Sequence, residues 1–328
     1  MSLKPCINEI WRTNTDYNYP EQAINQAESL KSLSSDLYTD NIRFIYELIQ
    51  NADDAQATTI LLTILNRQYL VVGHNGKPFD RKDFEGLCGI NHGTKKKDLT
   101  KTGYKGLGFK SVFGKSNYVL ICSKNEFVRF DSSFRIPWND KWGTKDQQTW
   151  EKRNDRQFIY PWQITPIWTD ESEIDADVRS FLSNRKDKIQ VAYVIRFGNI
   201  DDIDSALVQL KQQPHMFLFL RHIKQVHFLM KNLDKISIDF NENLKKISIN
   251  KRIYSQWIIK RFEFDIPETE QKKLAEDMKA PEKLRSIRKT ELFFAAKFNE
   301  QIEQLDEQDS ILFSYLPTKI FEYKFPFL

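Results

Sequence analysis

The chain has 328 residues, 40% of them hydrophobic and 13% aromatic, and its 49 basic and 45 acidic side chains leave a net charge of +4. That is the composition of an ordinary globular protein, long enough for one large or two medium cores. It argues against a dedicated nucleic-acid binder, and no apolar run approaches a bilayer span; the N-terminus (MSLKPCINEIW) has no hydrophobic signal core, which argues against secretion.

In chain order, residues 21–32 read as a helix, and a stronger helix is predicted from Asn41 to Ala55 with Asp40 as its N-cap. Thr58–Leu65 (TTILLTIL) is β-branched and reads as a strand, turned by Asn66-Arg67 into a second strand, Tyr69–Val72. Asp80–Cys88 reads as a short helix, 91–104 as a polar loop rich in Gly and Lys, and Gly106–Phe113 as the start of another helix. A strand pair, Tyr118–Ser123 and Glu126–Asp131, follows around Lys124-Asn125. Residues 132–170, with Trp138, Trp142, Trp150, Trp162 and Trp168, read as an irregular insertion held by hydrophobic anchors. Gln190–Phe197 is a predicted strand, Ile203–Gln212 a helix and Val226–Met230 a strand. Beyond about residue 231 the texture changes to antiparallel strands at Ile236–Phe240, Lys246–Ile249 and Ile253–Phe264. A charged helix, Glu268–Ile287, and strands Leu292–Phe298 and Ile311–Tyr315 complete the reading. The expected organisation is therefore a larger domain over 1–230 and a smaller α/β segment over 231–328, packed together, with the apolar ending Phe325-Pro326-Phe327-Leu328 suggesting a cut within a longer protein. Cys6, Cys88 and Cys122 are widely spaced, with no C-x-x-C pair, and read as reduced thiols in a cytoplasmic protein.

Two features carry chemistry. Nine of the eleven glycines fall between Gly73 and Gly114. Such crowding lets backbone N–H groups approach a ligand closely, most often a phosphate. Within that window Lys95-Lys96-Lys97, Lys101, Lys105 and Lys110 read either as a solvated loop or as a basic flap beside an anion. The second feature is the helix NIRFIYELIQNADDA. At 100° per residue, Glu47, Asn51 and Asp54 lie within about 60° of one another, and Ile42, Ile45, Leu48, Ile49 and Ala52 lie opposite. A polar face with no i+4 lysine is either simply solvated or a site. The i, i+4 spacing of Glu47 and Asn51 suits one residue activating a water while its neighbour holds a metal ion that bridges phosphates.

With Glu47-x-x-x-Asn51 followed by Ala52-Asp53-Asp54, the chain resembles the GHKL ATPase superfamily, and the wording IRFIYELIQNADDAQAT is most similar to its sacsin-like, heat-shock-type branch. The resemblance implies an α+β fold of the GHKL (Bergerat) kind, an α/β sandwich whose mixed, mostly antiparallel sheet carries helices on one face. It implies Glu47 as general base, Asn51 as Mg²⁺ ligand and Asp54 lining the nucleotide pocket. The family's Asp-x-Gly-x-Gly motif aligns with His74-Asn75-Gly76-Lys77-Pro78-Phe79. Gly76 and the apolar Phe79 match, while His74 replaces the adenine-binding aspartate and Pro78 the second glycine. Gly103-Tyr104-Lys105-Gly106-Leu107-Gly108-Phe109-Lys110-Ser111 resembles the G-x-x-G-x-G-F loop that cradles the triphosphate at a helix N-terminus. Lys105 and Lys110 are its phosphate partners or plain surface lysines. Asn91–Lys97, with Thr94, falls where the family places its ATP lid. The resemblance is specific over about residues 40–131 and loose to about 230.

The expected function is an Mg²⁺-dependent ATP-binding and slowly hydrolysing module of a larger chaperone-like protein. Its expected partners are ATP or ADP and the further C-terminal region of the same protein, with a nucleotide-dependent homodimer left open and no membrane. The alternatives are a nucleotide-sensing module without useful turnover, and the ATPase part of a DNA-processing protein, which the weak charge disfavours.

Overall fold

The computed structural model describes residues 2–37, 41–89, 109–230, 233–241, 244–277, 285–299, 304–305, 313–314 and 316–317. The chain opens with α1 (Lys4–Thr15), α2 (Pro20–Leu37) and α3 (Asn41–Asp54), then β1 (Thr59–Leu65), β2 (Tyr69–His74), α4 (Arg81–Cys88) and α5 (Ser111–Lys115). There follow β3 (Tyr118–Ser123), β4 (Glu126–Asp131), α6 (Gln147–Asn154), β5 (Ile167–Thr169), α7 (Ala176–Ser183), β6 (Val191–Arg196), α8 (Asp201–Gln212) and β7 (Gln225–Leu229). The last part holds β8 (Leu233–Asn241), β9 (Leu244–Ile249), β10 (Arg252–Asp265), α9 (Glu268–Glu276), β11 (Lys289–Asn299) and β12 (Gln304–Leu305).

Among the described residues these strands form one twelve-stranded sheet in the order β12-β11-β10-β9-β8-β7-β1-β2-β6-β3-β4-β5. β1 and β7 pair in parallel, and every other described ladder in this sheet is antiparallel. The fold is α+β with a mixed, mostly antiparallel sheet. The β7–β8 ladder carries the sheet across residue 230, so the C-terminal strands extend the same sheet. Three hairpins turn on residue pairs with positive φ, Asn66-Arg67, Lys124-Asn125 and Asn250-Lys251. This handedness matches the twist of the strands they join, and asparagine tolerates it better than most residues.

The strands bury both faces. Ile60, Leu62, Leu70, Val72, Val191 and Ile195 join α3, α4, α5 and α8 in the main core. Leu61, Val71, Leu120, Cys122, Ala192 and Val194 face the other way and are covered by Ile174, Ile189 and the Val178–Leu182 side of α7. The expected placing of helices on one face thus holds for α3, α4, α5 and α8 but not for α7. The reason is that β1, β2 and β6 are apolar at successive positions, and a sheet apolar on both sides needs two covers. The 132–170 stretch makes a third apolar cluster, in which Ile136, Trp142, Trp150, Phe158 and Tyr160 pack on Ala23 and Ile24 of α2.

α3 is enclosed on two sides. Phe44, Ile45, Leu48, Ile49 and Ala52 enter the main core. On another side the Tyr46 hydroxyl donates to the Met216 carbonyl at 2.6 Å, and its ring stacks on Phe217. Buried Asp53 accepts backbone N–H bonds from Arg221, His222 and Ile223 at 2.8–3.1 Å. The same loop is held from the sheet extension by Lys245 of β9, whose ammonium donates to the carbonyls of Leu218 and Leu220. Burial pushes the Lys245 pKa down to about 8, with the Asp53 charge opposing the shift. Replacing Asp53 with Ala strands three backbone donors, of which that of Ile223 is buried, and removes the charge that favours Lys245. We expect a loss on the order of 3 kcal/mol in chemical denaturation. A loss below about 1 kcal/mol would show that the clamp is not needed.

Candidate functional site

With two sides of α3 buried, one half-buried stripe is left, and it carries Glu47, Gln50, Asn51 and Asp54 below exposed Arg43. The helical repeat alone places these residues together, and the packing of the other sides decides that this stripe is the one not consumed by the core. An amide oxygen flanked by carboxylates is a hard-oxygen donor set. It suits Mg²⁺, which keeps most of its coordination sphere for water and phosphate. Among the described residues no three His, Cys, Asp or Glu side chains converge as a metal-ligand set.

The turn after β2 packs against the C-terminal end of α3. Lys77 N–H donates to the Ala55 carbonyl at 2.7 Å. A Cβ on Gly76 would lie 2.6 Å from that same oxygen and 2.9 Å from Ala57 N, so only glycine fits. Asn75 is architectural in this setting. Its Oδ1 accepts from Thr58 N–H and Thr59 N–H at 2.9 Å, and its Nδ2 donates to Thr58 Oγ1 at 2.8 Å. Phe79 N–H donates to Ser123 Oγ at 3.0 Å, which ties the far end of the turn to β3.

His74 follows Leu70 and Val72 along β2 and so lies on the α3 face of the sheet. It is buried, and its Nδ1 accepts from Gly76 N–H at 3.2 Å. Desolvation lowers its pKa to about 4, so it is neutral at physiological pH. Its ring neighbours Tyr193 of β6, with centroids 6.0 Å apart. Tyr193 in turn meets Phe79 at 6.2 Å and Phe109 at 5.4 Å. The turn motif and the last aromatic of the glycine-loop motif therefore converge on one buried tyrosine. From its sequence context Tyr193 is only a strand residue. The available signal is a ring with a polar tip in a strand that is otherwise aliphatic along that face.

Lys110 is buried, and its ammonium donates to the Gly89 carbonyl at 3.0 Å at the end of α4. Burial lowers its pKa. This residue holds together the two described flanks of the 90–108 stretch. Thr94, Gly103, Tyr104, Lys105, Gly106, Leu107 and Gly108 lie outside the described residues. A cleft of about 450 Å³, lined by Gln68, Ser116, Asn117, Arg196 and Phe197 among others, lies at the opposite end of the strands. Tyr69 pairs with Arg196 there, whereas His74 pairs with Val191. None of the α3 stripe residues lines that cleft.

Residues 65–241 match the family described as Sacsin domain. The matched span contains the 74–79 turn, Phe109, Lys110 and Tyr193, and it begins after α3. Protein NO VEIN of Arabidopsis thaliana is 36% identical over 117 residues, covering 34% of this chain and 4% of that protein. Sacsin of Homo sapiens is 28% identical over 130 residues, covering 35% of this chain and 3% of that protein. The aligned stretch is thus a small part of each of these curated relatives.

The depressed His74 pKa makes a prediction about acid stability. The unfolded chain takes up a proton on this side chain near pH 6.5, and the folded protein does so only near pH 4. Stability contributed by neutral His74 is therefore present above pH 6.5 and is lost as pH falls to 4, by about 3 kcal/mol in full. His74→Gln should flatten the pH dependence of the denaturation midpoint in that window. An unchanged slope would mean that His74 is not held neutral by the fold.

Proposed function

The chain belongs to the Sacsin domain family, and we propose that it is an Mg²⁺-dependent module that binds and slowly hydrolyses ATP, or a related purine nucleoside triphosphate, within a larger chaperone-like protein. The observation that carries this reading is the packing of the glycine-dependent turn at 74–77 against the C-terminal end of the helix whose half-buried stripe holds Glu47, Asn51 and Asp54. The GHKL resemblance adds the phosphate loop from Gly103 to Phe109 and the lid position at Thr94. The mostly antiparallel sheet under α3 accords with that fold.

In this site Glu47 orients and deprotonates a water for attack on the terminal phosphate. Asn51 supplies an amide oxygen to Mg²⁺. When bound, the ion neutralises charge on the phosphate oxygens. Asp54 and the 74–76 turn bound the base end, and Phe109 with Tyr193 gives that end an apolar floor. Lys110 acts by holding Gly89, so its contribution to a nucleotide is positional. Asn75 likewise supports the turn through Thr58 and Thr59. The cytoplasmic setting is part of the proposal. Among the described residues no helix is long and apolar enough to cross a membrane.

A second reading, nucleotide sensing without useful turnover, is favoured by one observation: His74 stands where the resemblance expects a carboxylate. The two readings separate at Glu47. Under the first, Glu47→Ala keeps Mg²⁺–nucleotide binding in a calorimetric titration and lowers phosphate release by about 100-fold. Equal release from wild type and variant favours sensing. Failure of every nucleotide to bind removes both.

A further inference from the structure

His74 carries a hydrogen-bond donor that nothing among the described residues accepts. Its side chain is 2% exposed, and its Nε2 is buried with no hydrogen-bond partner. Its other ring nitrogen is committed, because Nδ1 receives Gly76 N–H at 3.2 Å. A backbone N–H can only donate, so Nδ1 holds the lone pair and the proton sits on Nε2. Burial keeps the imidazole from taking a second proton. The open edge of His74 is therefore donor-only. A buried donor left unpaired is costly, and such an atom in a native site points to a partner that binds later.

The surroundings limit what that partner is. Tyr193 lies beside the imidazole, and Phe79 and Phe109 pack on Tyr193. The turn that supplies Gly76 is locked to the end of α3 by Lys77 N–H and by the absence of a side chain at 76. The ring cannot release Nδ1 without giving up the Gly76 bond, so it cannot readily offer an acceptor instead. An aromatic neighbour suits a flat heterocycle, and the single polar demand is for an acceptor atom on its edge.

We propose that His74 is a specificity-determining residue that donates Nε2–H to the 6-oxo group of a purine base, so that this chain prefers inosine or guanine nucleotides to adenine nucleotides. The inference rests on the nucleotide reading above and reassigns only the base. A 6-oxo oxygen has two lone pairs and accepts the imidazole proton. An exocyclic 6-amino group presents donors toward a donor and leaves His74 unpaired. A carboxylate at the same place has the opposite preference.

Inosine and adenosine triphosphates differ at this edge and share the rest of the molecule, so equilibrium titration of each with Mg²⁺ reads the term directly. The wild type should bind inosine triphosphate at least about tenfold more tightly than ATP. His74→Asp should reverse the order, with thermal unfolding used to confirm that the variant is folded. Should that variant fail to fold, His74→Asn serves instead; its amide offers both donor and acceptor, and it should bring the two affinities within about threefold. ATP binding as tightly as inosine triphosphate in the wild type, or more tightly, overturns this inference and leaves the nucleotide reading intact. Binding of neither overturns both.

Discussion

The carboxylate of Asp53 receives backbone N–H bonds from residues 221–223, and the position of every candidate residue on α3 depends on it. This contact fixes the rotation of the helix about its axis. Together with the Tyr46–Met216 bond it commits a second side of α3 to the interior, next to the side that packs on β1, β2 and β6. What is left over is a narrow stripe. Lys245 reaches the same loop from β9, so the strands after residue 230 brace the helix that carries Glu47. A change in those strands has a short covalent and hydrogen-bonded route to the stripe. That route gives a larger protein a means of acting on this module.

The second constraint is close approach. The C-terminal end of α3, the start of β1 and the turn after β2 come near enough that residue 76 has no room for a side chain. Asn75 fills the role of a backbone splint, and His74 is turned inward against Tyr193. At this position the fold holds a neutral ring whose Nδ1 is fixed by Gly76 N–H. The chemical cost of that arrangement is one buried donor. Burial of Lys110 on Gly89 adds a tie between the flanks of the glycine-rich stretch.

Much of this was legible in the sequence, for identifiable reasons. The α3 helix announces itself through its 3.6-residue period, and β1, β2 and β6 through runs of β-branched and aliphatic residues. Asn66-Arg67 and Lys124-Asn125 mark their hairpins, since few residue pairs accept positive φ. Other features depend on partners far along the chain. Asp53 and Asp54 are neighbours of the same type, and only a loop some 170 residues away makes the first structural. α1 and α7 were not foreseen, because each buries a few residues against surfaces that exist only in the fold. The charged helix predicted to run from Glu268 to Ile287 ends at Glu276, where Asp277 turns to an extended conformation, and Ile287 is not helical. The role of Tyr193 and the fixed tautomer of His74 arise from strand register and a turn, neither of which has a local signature.

The central claim is that the α3 stripe and the 74–79 turn together form a nucleotide site. Amide hydrogen exchange, with and without saturating Mg²⁺–purine triphosphate, locates the ligand without assuming turnover. Nucleotide should slow exchange in residues 43–54, 74–79 and 109–112 and leave the Gln68–Arg196 end of the strands unchanged. Protection confined to that opposite end, or no protection anywhere, would contradict the claim.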